Sequence, residues 1–131
     1  MTNHKLFIPI VLMALLLFLL SLGWGMIFIL EKSSSTLLES TEEICSLISQ
    51  NDWNAAIRTF QQTEEKWSHA REYWPLLIHH QEIDRIEECF GKIKSYLDHQ
   101  DSNNALAEIY VLINYIQHIP ENKRLNLQNI F

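Results

Sequence analysis

Twenty-five consecutive residues, Leu6 to Leu30, carry no charge, and only Pro9, Ser21, Gly23 and Gly25 among them are not plainly apolar. As a helix rising about 1.5 Å per residue this stretch spans about 37 Å, enough to cross a hydrocarbon core about 30 Å thick with some tilt. A core helix of a small soluble domain has no use for that length. Lys5 bounds the stretch on one side and Glu31 and Lys32 on the other, and Trp24 lies near the far end, where an amphipathic ring suits the interface. The pattern predicts a transmembrane anchor over residues 1–32 and a separate domain over residues 33–131.

A cleaved signal peptide is the rival reading, because Gly23 and Gly25 have the spacing of small residues at a cleavage site. The apolar run before them exceeds the roughly 7–15 residues of a signal core, however, and it continues through Met26-Ile27-Phe28-Ile29-Leu30 after them. The anchor fits better. No Cys lies near the end of the run, so nothing suggests a lipoprotein.

The formal net charge of −6 averages two unlike parts. The first thirty residues hold one charged side chain, Lys5, which leaves nine basic and sixteen acidic residues, a net of −7, on the remainder. That acidity argues against nucleic acid, because neutralising phosphates takes clustered Lys and Arg. It argues equally against a domain lying flat on anionic lipid. Close to the membrane the segment is rich in Glu and poor in Lys, which favours placing the carboxy-terminal domain outside the cytoplasmic membrane.

Beyond the anchor every periodicity is helical. Leu37, Thr41, Ile44 and Ile48, with Leu38 and Cys45 beside them, recur at steps of three and four, so the membrane helix can continue as a stalk. Asn51-Asp52 interrupts this pattern, and Asp52 is a good N-cap for the next helix, whose face carries Trp53, Ala56, Ile57, Phe60, Trp67 and Trp74. Pro75 ends or kinks it. A third stripe, Leu76, Ile83, Ile86, Phe90, Ile93 and Leu97, has His79 or His80 at one core position and contains Gly91, which costs about 1 kcal/mol relative to Ala. After a turn rich in capping residues, Asp98 to Asn103, a fourth face comprises Ala105, Ile109, Leu112, Ile116 and Ile119 with Leu106 and Ile113, and Pro120 is expected to stop it. The tail from Glu121 to Phe131 is apolar enough to dock on the bundle.

No run alternates long enough to demand a strand. The fold class is therefore all-α: one N-terminal transmembrane helix followed by a small antiparallel bundle of about four helices with short connections. Asp52-Trp53-Asn54-Ala55-Ala56-Ile57 faintly echoes Ser102-Asn103-Asn104-Ala105-Leu106-Ala107, each opening the second helix of a hairpin. Either two related hairpins or shared capping chemistry accounts for the echo.

The densest polar cluster is His79-His80-Gln81-Glu82-Ile83-Asp84. On a helix His80 faces Asp84 one turn away and His79 faces Glu82, which supplies two or three ligands for a divalent ion or a pH-sensing imidazole. A transition-metal site normally takes three or four ligands. An N-terminal cap with surface ion pairs is the simpler account, because acidic residues suit a first turn. His118, before Pro120, is read as capping a helix end. Cys45 and Cys89 lie on the first and third helices, where they can pair outside the cytoplasm or fill the core as small apolar groups.

Trp53, Trp67, Tyr73 and Trp74 exceed what one helix of a small bundle must bury. Most of this surface fits a core, and the functional alternative is a groove for a partner helix or the membrane surface. Within the anchor, Ser21 and Gly25 have the small-xxx-small spacing that lets helices approach closely. No nucleophile triad or paired-carboxylate motif stands out. With two of its three glycines inside the anchor, the chain has nothing from which to build a nucleotide loop.

At His80-Gln81-Glu82-Ile83-Asp84-Arg85-Ile86-Glu87, with Asn51-Asp52-Trp53 upstream and His118-Ile119-Pro120-Glu121 and Leu127-Gln128-Asn129-Ile130-Phe131 downstream, the chain resembles a family of short single-pass proteins from spore-forming Gram-positive bacteria, the domain of unknown function DUF 4363. The likeness spans anchor and domain. It implies a bacterial membrane-anchored helical protein, in a family sometimes encoded near small multi-pass membrane proteins. It brings no catalytic residues, and any role of a His-x-Glu-x-Asp stretch falls here on His80, Glu82 and Asp84.

The expectation is a non-enzymatic accessory protein without cofactor or metal, embedded in the lipid bilayer and presenting its bundle to a membrane-protein partner or to a second copy of itself. Trp53, Trp67, Trp74, Ser21 and Gly25 are its candidate contact residues. A metal, small-ligand or pH sensor built on His79, His80, Glu82 and Asp84 is the alternative.

Overall fold

The computed structural model describes residues 3–128, with side chains described from Lys5 to Asn122. Four helices follow one another: α1 (Asn3–Ser49), α2 (Trp53–Arg71), α3 (His80–Asp98) and α4 (Ser102–Gln128), with a short 3-10 turn, Trp74–Leu76, between α2 and α3. Among the described residues there is no strand. The fold class expected from the periodicities is the one observed.

α1 is continuous over 47 residues, so the apolar stretch and the first bundle helix are a single rod. Its side chains from Leu6 to Leu19 are all exposed, whereas Leu30, Leu37, Ile44 and Ile48 are buried. The bundle therefore begins at Leu30. Below that point only Leu20, Gly23 and Ile27, on one face, are half-buried, and the most apolar window of the helix has no share buried inside the protein.

Both hairpin turns use one device. Asn51 (φ 56°) and Gln100 (φ 51°) adopt the left-handed conformation. Around the first turn the Asn51 N–H donates to Ile48 O at 3.0 Å and the Asp52 N–H to Leu47 O at 3.0 Å; around the second, Gln100 donates to Leu97 O at 3.1 Å and Asp101 to Tyr96 O at 2.9 Å. Each helix end is thus closed by a Schellman motif. The aspartate that completes it then caps the next helix: Asp52 Oδ1 accepts from the Ala55 N–H and Asp101 Oδ1 from the Asn104 N–H, both at 3.2 Å.

The echo in the sequence is consequently real but sits one residue from where capping letters alone place it, since Asp52 corresponds to Asp101 and not to Ser102. In that register Leu37, Thr41, Ile44 and Ile48 match Ile86, Phe90, Ile93 and Leu97, and Ala56, Phe60, Thr63, Trp67 and Ala70 match Ala105, Ile109, Leu112, Ile116 and Ile119. Every one of these residues is buried. Two helical hairpins share one burial pattern.

The hairpins close into a four-helix bundle in which α1 packs on α2 and α4, and α3 packs on α4 and, along a sparser seam, on α2. Large rings fill that seam. Phe60 and Phe90 lie 5.9 Å apart, Trp67 stacks on Phe90 at 5.9 Å, and Trp67 meets Trp74 edge-on at 5.3 Å. In the α1–α2 half the layer is partly hydroxylic: Ser40 and Thr63 share a hydrogen bond of 2.5 Å, and Thr41 and Thr63 each donate to a carbonyl of the preceding turn.

Three expectations change. Pro75 does not lie in α2, which ends at Arg71; it is the middle residue of the 3-10 turn, which takes Trp74 off α2 and leaves Leu76 84% exposed, while Ile78 takes the buried place. Pro120 does not stop α4, which runs on to Gln128. Proline's fixed φ is itself helical, so the helix continues through it with one backbone hydrogen bond fewer. His118 is accordingly no terminal cap, and its Nδ1 lies 3.3 Å from Glu121 Oε2 on the same helix. The expected docking of the tail on the bundle rests on side chains beyond Asn122 and on residues 129–131, which lie outside the described residues.

Candidate functional site

The His and carboxylate cluster is a helix start. His79 is the N-cap of α3, in extended conformation, and its N–H donates to Glu82 Oε2 at 3.3 Å, half of a capping box. His79, His80 and Asp84 are exposed and Glu82 is half-buried. Among the described residues no three His, Cys, Asp or Glu side chains are grouped so as to hold a metal ion.

The tryptophans divide differently from the candidate list. Trp74 is fully buried and Trp67 nearly so, and Trp53 is half-buried at the start of α2. Trp67 and Trp74 thus build the α2–α3 seam and are not available to a partner. Burial satisfies Trp74's polar edge as well, since its indole N–H donates to Ser33 Oγ at 3.1 Å. Ser21 and Gly25 remain exposed on α1, where the Ser21 hydroxyl donates to Phe18 O at 2.8 Å.

Cys45 and Cys89 are both free, on helices placed diagonally across the bundle. Burial pushes both thiols up. For Cys89, burial together with a hydrogen bond to the Glu108 carboxylate raises the pKa to about 12. Lys92 lies 2.8 Å from Glu88 and 3.8 Å from Glu108, so this small network ties α3 to α4. A thiol held so firmly in its protonated form is a poor nucleophile and a poor metal ligand.

Sequence reasoning missed the surface that stands out most. Exposed charges stud the other bundle faces: Glu39, Glu42 and Glu43 on α1, Arg58, Glu65 and Lys66 on α2, Asp84, Arg85, Lys92 and Lys94 on α3. From Ser102 to Pro120, α4 has one charged residue, Glu108, which is half-buried beside Lys92. Its outward residues are Asn103, Asn104, Ala107, Tyr110, Val111, Asn114, Gln117 and His118. Tyr110 is 61% exposed and Val111 38%. The signal was present as a run of nineteen residues with a single acid, but an apolar stripe inside it drew attention to the buried side.

The family described as a domain of unknown function, DUF4363, matches residues 25–130. The chain belongs to the DUF4363 family. The match takes in the whole bundle, both hairpins of this DUF4363 protein, and starts near the end of the apolar stretch. No curated protein and no solved structure matches the chain significantly.

Proposed function

We propose that this protein is a non-catalytic, membrane-anchored interaction module: residues 6–30 cross a bilayer once, and the bundle offers the outward face of α4 to a membrane-protein partner or to a second copy. The observation that carries the reading is the uncharged α4 face on an otherwise charged, acidic domain. Interface centres are depleted in charge and enriched in Tyr, and an acidic body meets a partner with least repulsion where it carries no acids.

Support for the anchor comes from the uncovered apolar half of α1 and from its unbroken continuation into the bundle, where Leu30 is buried. A signal sequence shares the length and composition, but the apolar run here continues into a folded helix without a break. The sensor reading draws no comparable support, since Glu82 is engaged in closing the start of α3.

The test is disulfide and bifunctional cross-linking in native membranes, using an Asn114→Cys variant of a chain that also carries Cys45→Ser and Cys89→Ala. A discrete cross-linked species, lost on adding Tyr110→Lys, is expected. A chain that stays monomeric and uncross-linked at native expression refutes the interaction reading.

A further inference from the structure

The turn between α2 and α3 sits at the edge of the apolar stretch. The Trp74 indole N–H is hydrogen-bonded to Ser33, which lies three residues, or about 4.5 Å along the helix, beyond Leu30. Trp74 is fully buried, and Pro75 restricts the backbone next to it, so the turn is held in place. Leu76, the following residue, is 84% exposed, more than any other large apolar side chain described, Trp24 at 75% included. A rigid turn that presents a bare leucine to water is costly, and this one does so at the level where α1 passes from polar to apolar.

The lengths of the helices point to the same end. α2 and α3 have 19 residues each and α4 has 27, so α4 is longer by about 12 Å. α4 starts at the hairpin turn remote from Ser33 and returns antiparallel to α1, so its last two turns extend beyond the base of the bundle beside the apolar part of α1. In sequence this overhang includes Lys123-Arg124, the chain's only adjacent Lys/Arg pair.

We propose that the base of the bundle is a lipid-binding surface: the Trp74–Leu76 turn rests in the interfacial layer of the bilayer that α1 crosses, with Leu76 inserted at the boundary between headgroups and acyl chains. The bundle is then seated on the membrane and does not swing on a stalk, which fixes the α4 face at a set height and angle. This rests on the membrane reading of α1, and the test separates the two.

The full chain, carrying Cys45→Ser and Cys89→Ala, is reconstituted into phosphatidylcholine–phosphatidylglycerol vesicles with one reporter cysteine at a time, Phe28→Cys, Leu76→Cys or Gln62→Cys, each labelled with an environment-sensitive nitrobenzoxadiazole dye. All three positions lie outside the core, and unchanged helical circular dichroism confirms the fold. The Phe28 and Leu76 labels are expected to show blue-shifted emission quenched by spin-labelled lipid, with Leu76 quenched most by the shallow spin label, while the Gln62 label emits as in water. A lipid-like Phe28 label with a water-like Leu76 label overturns the seating and leaves the anchor standing. A Leu76 label shielded from water yet unquenched by lipid means that protein covers the turn, which also overturns it. Water-like emission at both sites overturns the membrane reading itself.

Discussion

The contact between Trp74 and Ser33 fastens the turn between the two hairpins to α1, and its removal has a calculable cost. Trp74 is fully buried, meets Trp67 edge-on at 5.3 Å and hydrogen-bonds Ser33 at 3.1 Å. Burying about 150–250 Å² of aromatic surface contributes roughly 4–6 kcal/mol at about 25 cal/mol per Å², and truncation of such residues to Ala typically costs about 3–5 kcal/mol. Ser33→Ala leaves the indole N–H without its acceptor in a part-buried site, at a cost of about 0.5–1.5 kcal/mol. For a domain of this size 1 kcal/mol shifts the melting temperature by about 4–8 °C. Trp74→Ala should therefore lower it by at least about 12 °C, and Ser33→Ala by roughly a third of that or less. Thermal unfolding of the full chain in mild detergent, followed by tryptophan fluorescence and by near-ultraviolet circular dichroism, reads these shifts. Trp74→Phe keeps most of the ring and drops the donor, so in a cycle with Ser33→Ala the two changes should couple by about 0.5–1.5 kcal/mol. Additive costs, or a Trp74→Ala chain melting within about 4 °C of the parent, refute the claim that this hydrogen bond holds the turn against α1.

Other outcomes follow from local chemistry. Nothing lies within 4 Å of a Cβ built on Gly91, which is exposed in the middle of α3, so Gly91→Ala should stabilise the bundle by about 1 kcal/mol, seen as a higher melting temperature. Asp52→Ala and Asp101→Ala each remove an N-cap and should each cost about 1 kcal/mol in chemical denaturation, adding when combined because they serve different helices. The hydrogen bonds from Asn104 hold the Asp101 carboxyl below the usual carboxylate range, so its contribution is present above the unfolded-state value and is lost as pH falls through the folded one; Asp101→Asn should flatten the acid limb of stability against pH. With its thiol pushed up to about 12, Cys89 should resist a disulfide reagent at pH 8 in the folded chain and react once the bundle is unfolded by denaturant.

Much of this fold is legible in the sequence because burial in a helical bundle leaves a period. Leu37, Thr41, Ile44 and Ile48, and likewise Ala105, Ile109, Leu112, Ile116 and Ile119, recur at steps of three and four and are the buried residues. Capping is legible too, as Asp52 shows. What periodicity cannot resolve is where one element hands over to the next. Trp74 and Leu76 fit helical stripes by number, yet Pro75 gives them a turn of their own, and the two end with opposite exposure. Gln100 carries no letter that signals a left-handed residue, so the register between the two hairpins emerges only from the geometry. The uncharged face of α4 was hard to see for a related reason: it is marked by missing charge on the side away from the core, and hydrophobic patterning reads the core side.

The most direct test of the central claim is the state of the amino-terminal quarter in the mature protein. Membranes from cells expressing the chain at native level are washed with alkaline carbonate, and the intact mass and amino-terminal sequence are determined. Recovery in the washed membrane with residues 6–30 present is the expected result. A chain that begins at or after Gly25 and partitions into the soluble fraction contradicts the anchor, and the seating of the bundle on lipid fails with it.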